Sequence, residues 1–492
     1  MFVPHLRRIA AALVSLSALF GLASFPVAAQ SAKAASVSEP VLMLSDIHFD
    51  PFRDPGKAAQ LAAAPVFSWR AILDAPASPD SEERLAALEK SCHTRGRDTD
   101  EALLASSLRA IATQAHGARF VTVTGDLLAH AFDCKYEALF PHAQPASYRQ
   151  FTVKTMEYVL HELRRALPNV PVYAALGNND SGCGDYKLDP RSEFLAESAP
   201  AFVADLPASE RAQARSDFAA FGDYSVTLPA PFRHTRILAL DDLFESKHYA
   251  GCAAAERASK TAPPDTAPAR EQLAWLARQL QAARTKGEKV WIIGHIPPGI
   301  DPFSTATHLR NVCSGQPPEF FLSSTALANT IAPFGDVVPL ALFAHTHMDE
   351  MRLIPPTHGS HKPVPIKMVP SISPINGNLP SFTLARIDLA TATLADYRVI
   401  ASSDRTGSSW AQSYDFRESY GLPGFTSTTA AQLIAGFLAD PQAGQPTSKA
   451  YIRNYYVRDA SLLLTGYWPQ YACALASMDE ATYRACRCPA SH

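Results

Sequence analysis

The sequence has almost no net charge and no dense run of basic residues. Its 44 lysines and arginines are nearly balanced by 47 acidic residues, which gives a formal charge of −3 at pH 7. A surface that binds duplex nucleic acid carries clustered positive charge. We therefore expect no nucleic acid duplex among the partners of this protein.

Two further absences limit the class of protein. Beyond residue 30, no segment is apolar enough to span a bilayer, so we expect no stable insertion into a membrane. The chain has no Cys-x-x-Cys pair, which argues against a zinc site made of thiolates. With 492 residues, of which 47% are hydrophobic, the chain can form one large domain with an appendage, or two domains.

Residues 1–29 have the features of a secretory signal peptide. Arg7 and Arg8 precede a short apolar run over residues 9–20, and Val27-Ala28-Ala29 offers small residues for cleavage. A membrane anchor is the alternative, but serines, a glycine and a proline interrupt the apolar stretch. We expect a secreted or periplasmic protein in which residues 30–39 form a linker.

Eight cysteines fit an exported protein with up to four disulfides. The sequence alone leaves about 105 pairings open. Cys473 with either Cys486 or Cys488 is the simplest pairing, because it closes a short C-terminal loop. Free buried thiols are the alternative.

Five short apolar segments that read as strands are each followed by polar residues able to bind a metal ion. Helical patterns at residues 100–115, 151–167 and 271–284 alternate with strands, which indicates an α/β fold with crossover connections. In such folds, ligands bind beyond the carboxyl ends of the strands. The segments and their following residues are 41–45 with Asp46 and His48, 120–124 with Gly125 and Asp126, 172–176 with Gly177 and Asn178, 290–293 with Gly294 and His295, and 339–343 with His345 and His347.

The last third of the chain has a different character. Segments 366–369, 382–387 and 393–400 read as strands, most simply as an antiparallel extension of the sheet. Residues 428–492 read as aromatic-rich helices that pack on the main body.

The polar residues after the strands form a donor set for two divalent metal ions. Asp, Asn and His suit borderline metals, so we expect zinc, with manganese or iron as alternatives. Two such ions lie about 3.5–4 Å apart, and together they polarise a phosphoryl oxygen and activate water. Unrelated polar loop residues are the alternative interpretation. The predicted metal ligands are Asp46, His48, Asp126, Asn178, His295, His345 and His347.

In this order, the motifs resemble those of the calcineurin-like metallophosphoesterases, and within them the acid sphingomyelinase-like phosphodiesterases. Further matches are Gly125-Asp126-x-x-x-His130 and the stretch 370–382. The resemblance implies a four-layer α/β/β/α sandwich over residues 40–404, and a small helical, cysteine-containing subdomain over residues 405–492. It also implies that one metal is held by Asp46, His48 and His347, that the other is held by Asn178, His295 and His345, and that Asp126 bridges them.

The family often has His directly after the metal-binding Asn, and the sequence departs from the family at this position. Here the residue is Asn179, in a Gly-Asn-Asn-Asp stretch similar to that of endopolyphosphatases. We expect Asn179 to be a catalytic residue that can donate a hydrogen bond but supplies no proton at neutral pH. We therefore expect His130 to be the proton donor, with a supporting loop histidine as the alternative, and Asp180 to orient a ligand.

These features predict a secreted phosphodiesterase that acts on small soluble phosphodiesters or nucleotides. Sphingomyelinases resemble a fusion with an N-terminal saposin-like module, whereas here residues 30–39 directly precede the first predicted strand. Cleavage of polyphosphate or of sphingomyelin is the alternative within the class, and a non-catalytic metal-dependent binding protein is the alternative outside it. The sequence leaves open whether the basic residues of the loops contact phosphate or only solvent; they are Arg53, Arg70, Lys90, Arg95 and Arg97.

Overall fold

A computed structural model describes residues 37–232, 234–253, 266–357, 362–457 and 462–488, so the predicted signal peptide lies outside the described residues. Within these ranges there are twelve strands. They are β1 Ser38–Leu44, β2 Val121–Thr124, β3 Val172–Ala175, β4 Tyr224–Thr227, β5 Thr235–Ala239, β6 Lys289–Ile293, β7 Leu340–Phe343, β8 Met351–Ile354, β9 Val364–Met368, β10 Ser381–Asp388, β11 Leu394–Ser402 and β12 Trp410–Asp415.

The same ranges contain seventeen α-helices, and none of them is both long and apolar enough to cross a membrane. They are α1 Ala58–Ala63, α2 Trp69–Leu73, α3 Ser81–Ser91, α4 Glu101–Gln114, α5 Phe132–Leu139, α6 Pro145–Ala166, α7 Glu193–Phe202, α8 Ala208–Phe221, α9 Ala267–Lys286, α10 Pro302–Thr307, α11 Ala326–Ile331, α12 Phe416–Tyr420, α13 Ser427–Leu438, α14 Pro446–Tyr455, α15 Leu462–Gly466, α16 Trp468–Ala474 and α17 Glu480–Arg487.

The strands form two mixed sheets of six strands each, in the orders β12-β11-β10-β1-β2-β3 and β4-β5-β6-β7-β9-β8. In the first sheet, β1, β2 and β3 are parallel. In the second, β5, β6, β7 and β9 are parallel. The parallel strands of each sheet therefore end at one edge, where their following loops can meet.

The residues of β6 show how the layers stack, because alternate side chains point to opposite faces of a strand. Val290 and Ile292 belong to the apolar cluster that contains Leu276 of α9. Trp291 and Ile293 belong to the larger cluster between the sheets. The Trp291 ring packs edge-on against Phe120, 5.9 Å between centroids, just before β2 of the other sheet. Both faces of β6 are thus buried, which explains its continuous apolar sequence.

Helices α4 and α6 cover the outer face of the first sheet, where Leu104 and Val159 lie around Leu44 of β1. Helix α4 begins after Asp100, whose carboxylate accepts a hydrogen bond from the Leu103 amide at 2.9 Å. Asp is among the residues preferred at this position, because its side chain satisfies a backbone N–H that has no partner within the helix. With α9 on the opposite side, the order of layers is helix, sheet, sheet, helix, as expected.

The C-terminal helices pack on the second sheet. The Leu353 amide of β8 donates a hydrogen bond to the Leu475 carbonyl at 2.8 Å, and the Asp349 amide donates to the Tyr455 carbonyl at 3.0 Å. The described residues from Val37 onward group as one compact unit. The first sheet extends beyond the predicted boundary at residue 404, because β12 pairs with β11, and the helices begin at Phe416.

Four disulfides join the eight cysteines, so the alternative of free thiols is wrong. Cys473 pairs with Cys486, one of the two partners expected for it. The other bridges are Cys92–Cys134, Cys183–Cys252 and Cys313–Cys488.

One prediction about the late strands is wrong. The segment 366–369 forms β9, which pairs in parallel with β7 rather than extending a sheet antiparallel. The cause is β8, which pairs antiparallel with β9 at the edge of the sheet and lets the chain return in the direction of β7. The segments at 382–387 and 393–400 are the antiparallel β10 and β11, as expected.

We predict that Trp291→Ala lowers the free energy of unfolding by about 3–5 kcal/mol, because it empties space between the two sheets. Trp291 is completely buried, and its indole N–H donates to the Ala392 carbonyl at 2.8 Å. Urea unfolding followed by far-ultraviolet circular dichroism measures the change. Phe67→Ala is the control, since Phe67 is 78% exposed. Equal losses in the two variants would contradict this packing.

Candidate metal centre

All seven predicted metal ligands lie beyond the ends of parallel strands from both sheets. The first ligand of each loop follows its strand by two or three residues. These are Asp46 after β1, Asp126 after β2, Asn178 after β3, His295 after β6 and His345 after β7, with His48 and His347 two residues further on. The topology therefore brings residues far apart in sequence to a common edge.

The backbone of this site is strained. Five of the seven residues lie in the left-handed region, a conformation that costs roughly 1–3 kcal/mol per residue and clusters at functional sites. Their φ angles are 44° at Asp46, 46° at His48, 56° at Asp126, 71° at His345 and 67° at His347. Gly125, at φ 88°, has no room for a side chain, because a Cβ would lie 2.8 Å from Gly177 Cα and 2.9 Å from His295 Nδ1.

The Asp126 carboxylate lies at the centre of the cluster. Its Oδ2 atom is 3.1 Å from His295 Nε2 and 3.4 Å from His48 Nε2. His295 follows a strand of the second sheet and His48 a strand of the first. A single carboxylate therefore contacts both halves of the site, which is the position that a bridging ligand requires.

Asp46, His48 and His347 form one group around Asp126. Asp46 Oδ1 lies 3.5 Å from His347 Nε2 and 3.8 Å from His48 Nε2. The two histidine Nε2 atoms are 3.1 Å apart. All three side chains are buried.

Asn178, His295 and His345 form the second group. Asn178 Oδ1 is 2.9 Å from His345 Nδ1 and 3.1 Å from His295 Nε2. The side-chain nitrogen of Asn178, Nδ2, donates a hydrogen bond to Asp185 Oδ1 at 2.8 Å, which turns the side-chain oxygen toward the histidines. This orientation gives the site an oxygen ligand.

Backbone carbonyls set the orientation of two histidine rings. His48 Nδ1 lies 2.8 Å from the Leu128 carbonyl oxygen, and His295 Nδ1 lies 2.8 Å from that of Thr124. Each ring therefore carries a proton on Nδ1 and presents Nε2 to the site. Such hydrogen bonds orient metal-binding histidines.

Burial and Asp126 control the protonation of the site. Burial lowers the pKa of His345 and of His347 to about 3, which keeps both rings neutral and able to bind metal. Burial also disfavours charge on His48 and His295, but the neighbouring carboxylates, above all Asp126 with Asp46, together outweigh it and raise the pKa of His48 to about 9 and that of His295 to about 10. Protons and metal ions therefore compete for these two rings.

The donor set fits a pair of metal ions. Both carboxylate oxygens of Asp46 and the Nδ1 atom of His347 are buried and have no hydrogen-bond partner among the described residues. A buried carboxylate without a partner is strongly unfavourable unless a cation is bound. Two sets of three residues, Asp46 with Asp126 and His295, and His48 with His130 and His347, place ligand atoms within 4.8 Å of one another.

His130 lies beside the predicted ligands and is held by a carboxylate that the sequence did not single out. Its ring stacks on His48 with 4.0 Å between centroids. His130 Nδ1 is 3.1 Å from Asp98 Oδ1, and the His130 amide donates to Asp98 Oδ2 at 2.9 Å. The Ser373 hydroxyl also donates to Asp98, at 2.8 Å. Because Nδ1 contacts Asp98, the Nε2 atom of this partly exposed ring is the ring nitrogen that can contact a substrate.

Asn179 and Asp180 contact the protein in ways that the sequence did not predict. The Asn179 amide and side-chain nitrogen both donate to Asp126, at 2.9 Å each, and the residue is only 4% exposed. Asp180 accepts hydrogen bonds from the amides of Gly177, Leu127 and Leu128 rather than from a ligand side chain. Asn179 thus steadies the central carboxylate, and Asp180 steadies the loop that carries it.

Other supporting residues also went unpredicted. Asp242 accepts hydrogen bonds from the amides of His295 and Ile296, at 2.9 and 3.0 Å. The Tyr186 hydroxyl lies 3.4 Å from His345 Nε2. Asp242 follows β5 closely, which is the one signal in the sequence that could have identified it; Asp98, Asp185 and Tyr186 belong to no strand-end pattern.

A cavity of about 270 Å³ opens beside His345. Its walls include Phe303, which is 49% exposed, and Arg95, which lies in the loop after α3. A substrate at the metal centre has room there for the groups attached to its phosphate.

Comparison with known proteins identifies the class of this site. Residues 39–349 match the calcineurin-like phosphoesterase family over more than half of the chain. The chain belongs to this family and is a metal-dependent hydrolase of phosphoric esters.

Curated relatives cover most of the chain at low identity. Sphingomyelinase phosphodiesterase D of Dictyostelium discoideum is 26% identical over 341 residues, 66% of this chain and 67% of the relative. Human acid sphingomyelinase-like phosphodiesterase 3b is 25% identical over 411 residues, 79% of this chain and 80% of the relative. Human sphingomyelin phosphodiesterase is 26% identical over 315 residues, 60% of this chain but 44% of the relative.

Among solved structures, a dimetal phosphatase from Danio rerio matches 76% of this chain and 98% of its own, with 13% identity and a TM-score of 0.36. A similarity this low supports no conclusion about this chain.

We predict that chelation of metal lowers the melting temperature, and that zinc or manganese restores it, because bound ions stabilise only the folded state. At a metal concentration 100 times the dissociation constant, a bound ion raises the free energy of unfolding by about 2.7 kcal/mol. In Asp46→Asn, added metal should raise the melting temperature by less than in the wild type. Differential scanning calorimetry with and without metal measures this gain in melting temperature. Asp74→Asn, at a side chain that is 54% exposed, is the control and should keep the full gain. An undiminished gain in Asp46→Asn would contradict the ligand role of Asp46.

Proposed function

We propose that this protein is an exported two-metal phosphodiesterase that hydrolyses small soluble phosphodiesters or nucleotides. The main support is the position of Asp126 between two groups of ligand atoms, 3.1 Å from His295 and 3.4 Å from His48. Asp126 would be shared by two ions, for which zinc is the first choice by donor type. One ion would be held by Asp46, His48 and His347, and the other by Asn178, His295 and His345.

The contacts in the site suggest a separate role for the ions, for Asn179 and for His130. The bound ions would supply Lewis acidity that polarises the phosphoryl oxygen and lowers the pKa of water. Asn179 holds Asp126 in place and carries no proton for transfer. As the bond from phosphorus to the leaving oxygen breaks and a water oxygen bonds to phosphorus, His130, oriented by Asp98, gives the leaving oxygen a proton. The attacking water loses a proton to solvent, and solvent returns one to His130.

Export is supported by the four disulfides, which persist in oxidising compartments. Together with the predicted signal peptide over residues 1–29, they favour a secreted or periplasmic enzyme. We propose a catalytic part at 40–404 and a C-terminal part at 405–492, in which β12 adds a strand to the first sheet and the helices beginning at Phe416 support β8 of the catalytic part.

Cleavage of sphingomyelin is the second candidate. The names of the relatives favour it, and so do two exposed apolar residues: Phe303, which lines the cavity and is 49% exposed, and Leu309, six residues further along the chain and 77% exposed. Such residues can contact a lipid aggregate. They are only two, however, so we rank soluble substrates first.

A hydrolysis panel tests the proposal directly. It compares bis(4-nitrophenyl) phosphate, 4-nitrophenyl phosphate, CDP-choline, ATP, sphingomyelin micelles and polyphosphate, with added zinc or manganese. We expect the diester and the soluble nucleotides to be the best substrates. A preference for sphingomyelin or polyphosphate would overturn the substrate class. Binding of two ions without any turnover would mean that the protein is a non-catalytic metal-binding protein.

We predict that His130→Ala slows the hydrolysis of esters with poor leaving groups by about 10²–10⁴-fold, because the leaving alkoxide loses its proton donor. Nitrophenyl esters should lose much less, since nitrophenolate leaves without a proton. Steady-state rates for an alkyl and a nitrophenyl diester measure the difference. Asp98→Asn should show the same selectivity with a smaller loss.

His116→Ala is the control, since His116 is exposed and lies away from the metal centre. A uniform loss over both leaving groups in His130→Ala would exclude His130 as the general acid.

A further inference from the structure

The cavity beside His345 has charged residues at its floor and at its mouth. Glu350 and Arg352 line the floor and are almost fully buried. Arg95 lines the same cavity and is exposed. The cavity therefore adjoins the metal centre on one side and offers a solvent-facing arginine on the other.

Each acidic residue of the cavity has one carboxylate oxygen in contact with another group of the protein. Asp301 caps α10 by accepting a hydrogen bond from the Ser304 amide at 2.9 Å. Glu350 Oε1 lies 3.4 Å from a guanidinium nitrogen of Arg352. These contacts offset the negative charge at the floor, so an anion at the mouth of the cavity meets Arg95 without strong repulsion.

Arg95 has no ion-pair or hydrogen-bond partner among the described residues, which distinguishes it from Arg53, Arg70 and Arg97. Arg97, two residues further on, lies 3.2 Å from Glu89 and 3.7 Å from Glu82. Arg53 and Arg70 also pair with acidic side chains. Arg70 lies in α2 and Lys90 in α3 rather than in loops, and of the five basic residues that the sequence singled out only Arg95 lines the cavity beside the metal centre.

The loop that carries Arg95 is held at both ends. The Cys92–Cys134 disulfide fixes its start. Asp98 fixes its end through hydrogen bonds to His130 and Ser373. Between them, Gly96 packs closely on Ile375, since a Cβ at Gly96 would lie 3.2 Å from Ile375 Cγ1. An arginine on such a restrained loop loses less entropy when it binds a ligand.

We propose that Arg95 determines substrate specificity by binding a second anionic group, such as the non-scissile phosphate of a diphosphate diester. The proposal rests on the proposed phosphodiesterase function and names the substrate class of that site. A guanidinium forms paired hydrogen bonds to a phosphate, which favours substrates with two phosphates over those with one.

The test compares KM and kcat of Arg95→Gln for CDP-choline, which has two phosphates, and bis(4-nitrophenyl) phosphate, which has one. We expect KM for CDP-choline to rise about tenfold, the size of one lost hydrogen bond to a charged group. KM for the single-phosphate diester and kcat for both should stay within about twofold. Arg95→Lys should recover part of the loss, because it restores charge without the planar fork.

Arg97→Gln is the matched control and should leave KM and kcat unchanged for both substrates. Equal KM changes for the two substrates in Arg95→Gln, or none, would overturn the role of Arg95. The role of Arg95 would also be overturned if the wild type hydrolysed the single-phosphate diester but neither bound nor hydrolysed CDP-choline.

Calorimetric binding of CDP-choline to the metal-loaded protein separates this proposal from the phosphodiesterase function. If no diester is hydrolysed but Arg95→Gln still binds CDP-choline about tenfold more weakly, the catalytic function fails and the anion contact stands. If the diesters are hydrolysed and the two proteins bind CDP-choline equally, only the role of Arg95 fails.

Discussion

The site depends on a buried negative charge that both sheets share. Asp126 follows β2 of the first sheet, yet its carboxylate contacts His295 of the second sheet as well as His48 of the first. Burial disfavours ionisation of Asp126, but His295 and His48 outweigh it, and the pKa of this carboxyl lies well below its ordinary value. An ionised, buried carboxylate between neutral or weakly basic ligands is stable only with positive charge beside it. Protons on two histidines supply that charge in the absence of metal, and two cations supply it in the enzyme that we propose.

The rest of the fold keeps this carboxylate in place. Trp291 and Phe120 pack between the sheets and fix their separation. Asn179 donates twice to Asp126, and Asp180 binds three amides of the surrounding loops. The left-handed backbone at Asp46, Asp126 and other ligands costs free energy that packing of the two sheets must offset. The same residues that make the core therefore determine the geometry of the site.

The sequence predicts the strand ends well because parallel strands buried on both faces read as short apolar runs, and polar residues directly after them stand out. It does not predict the contacts of Asn179, because a side chain after a strand can turn either toward the substrate or back toward a carboxylate. Asp98 is missed for a related reason: it approaches His130 through tertiary structure, from a loop without a periodic pattern. The parallel direction of β9 depends on β8, a strand of four residues that the sequence does not distinguish from a loop. Burial, pairing direction and side-chain direction are thus set by the whole fold.

The most direct measurement is an anomalous diffraction experiment on crystals of the mature protein grown with zinc or manganese. We predict two anomalous peaks about 3.5–4 Å apart, with Asp126 between them. One peak should contact Asp46, His48 and His347, and the other Asn178, His295 and His345. A single peak, or two peaks without Asp126 between them, would contradict the two-metal centre.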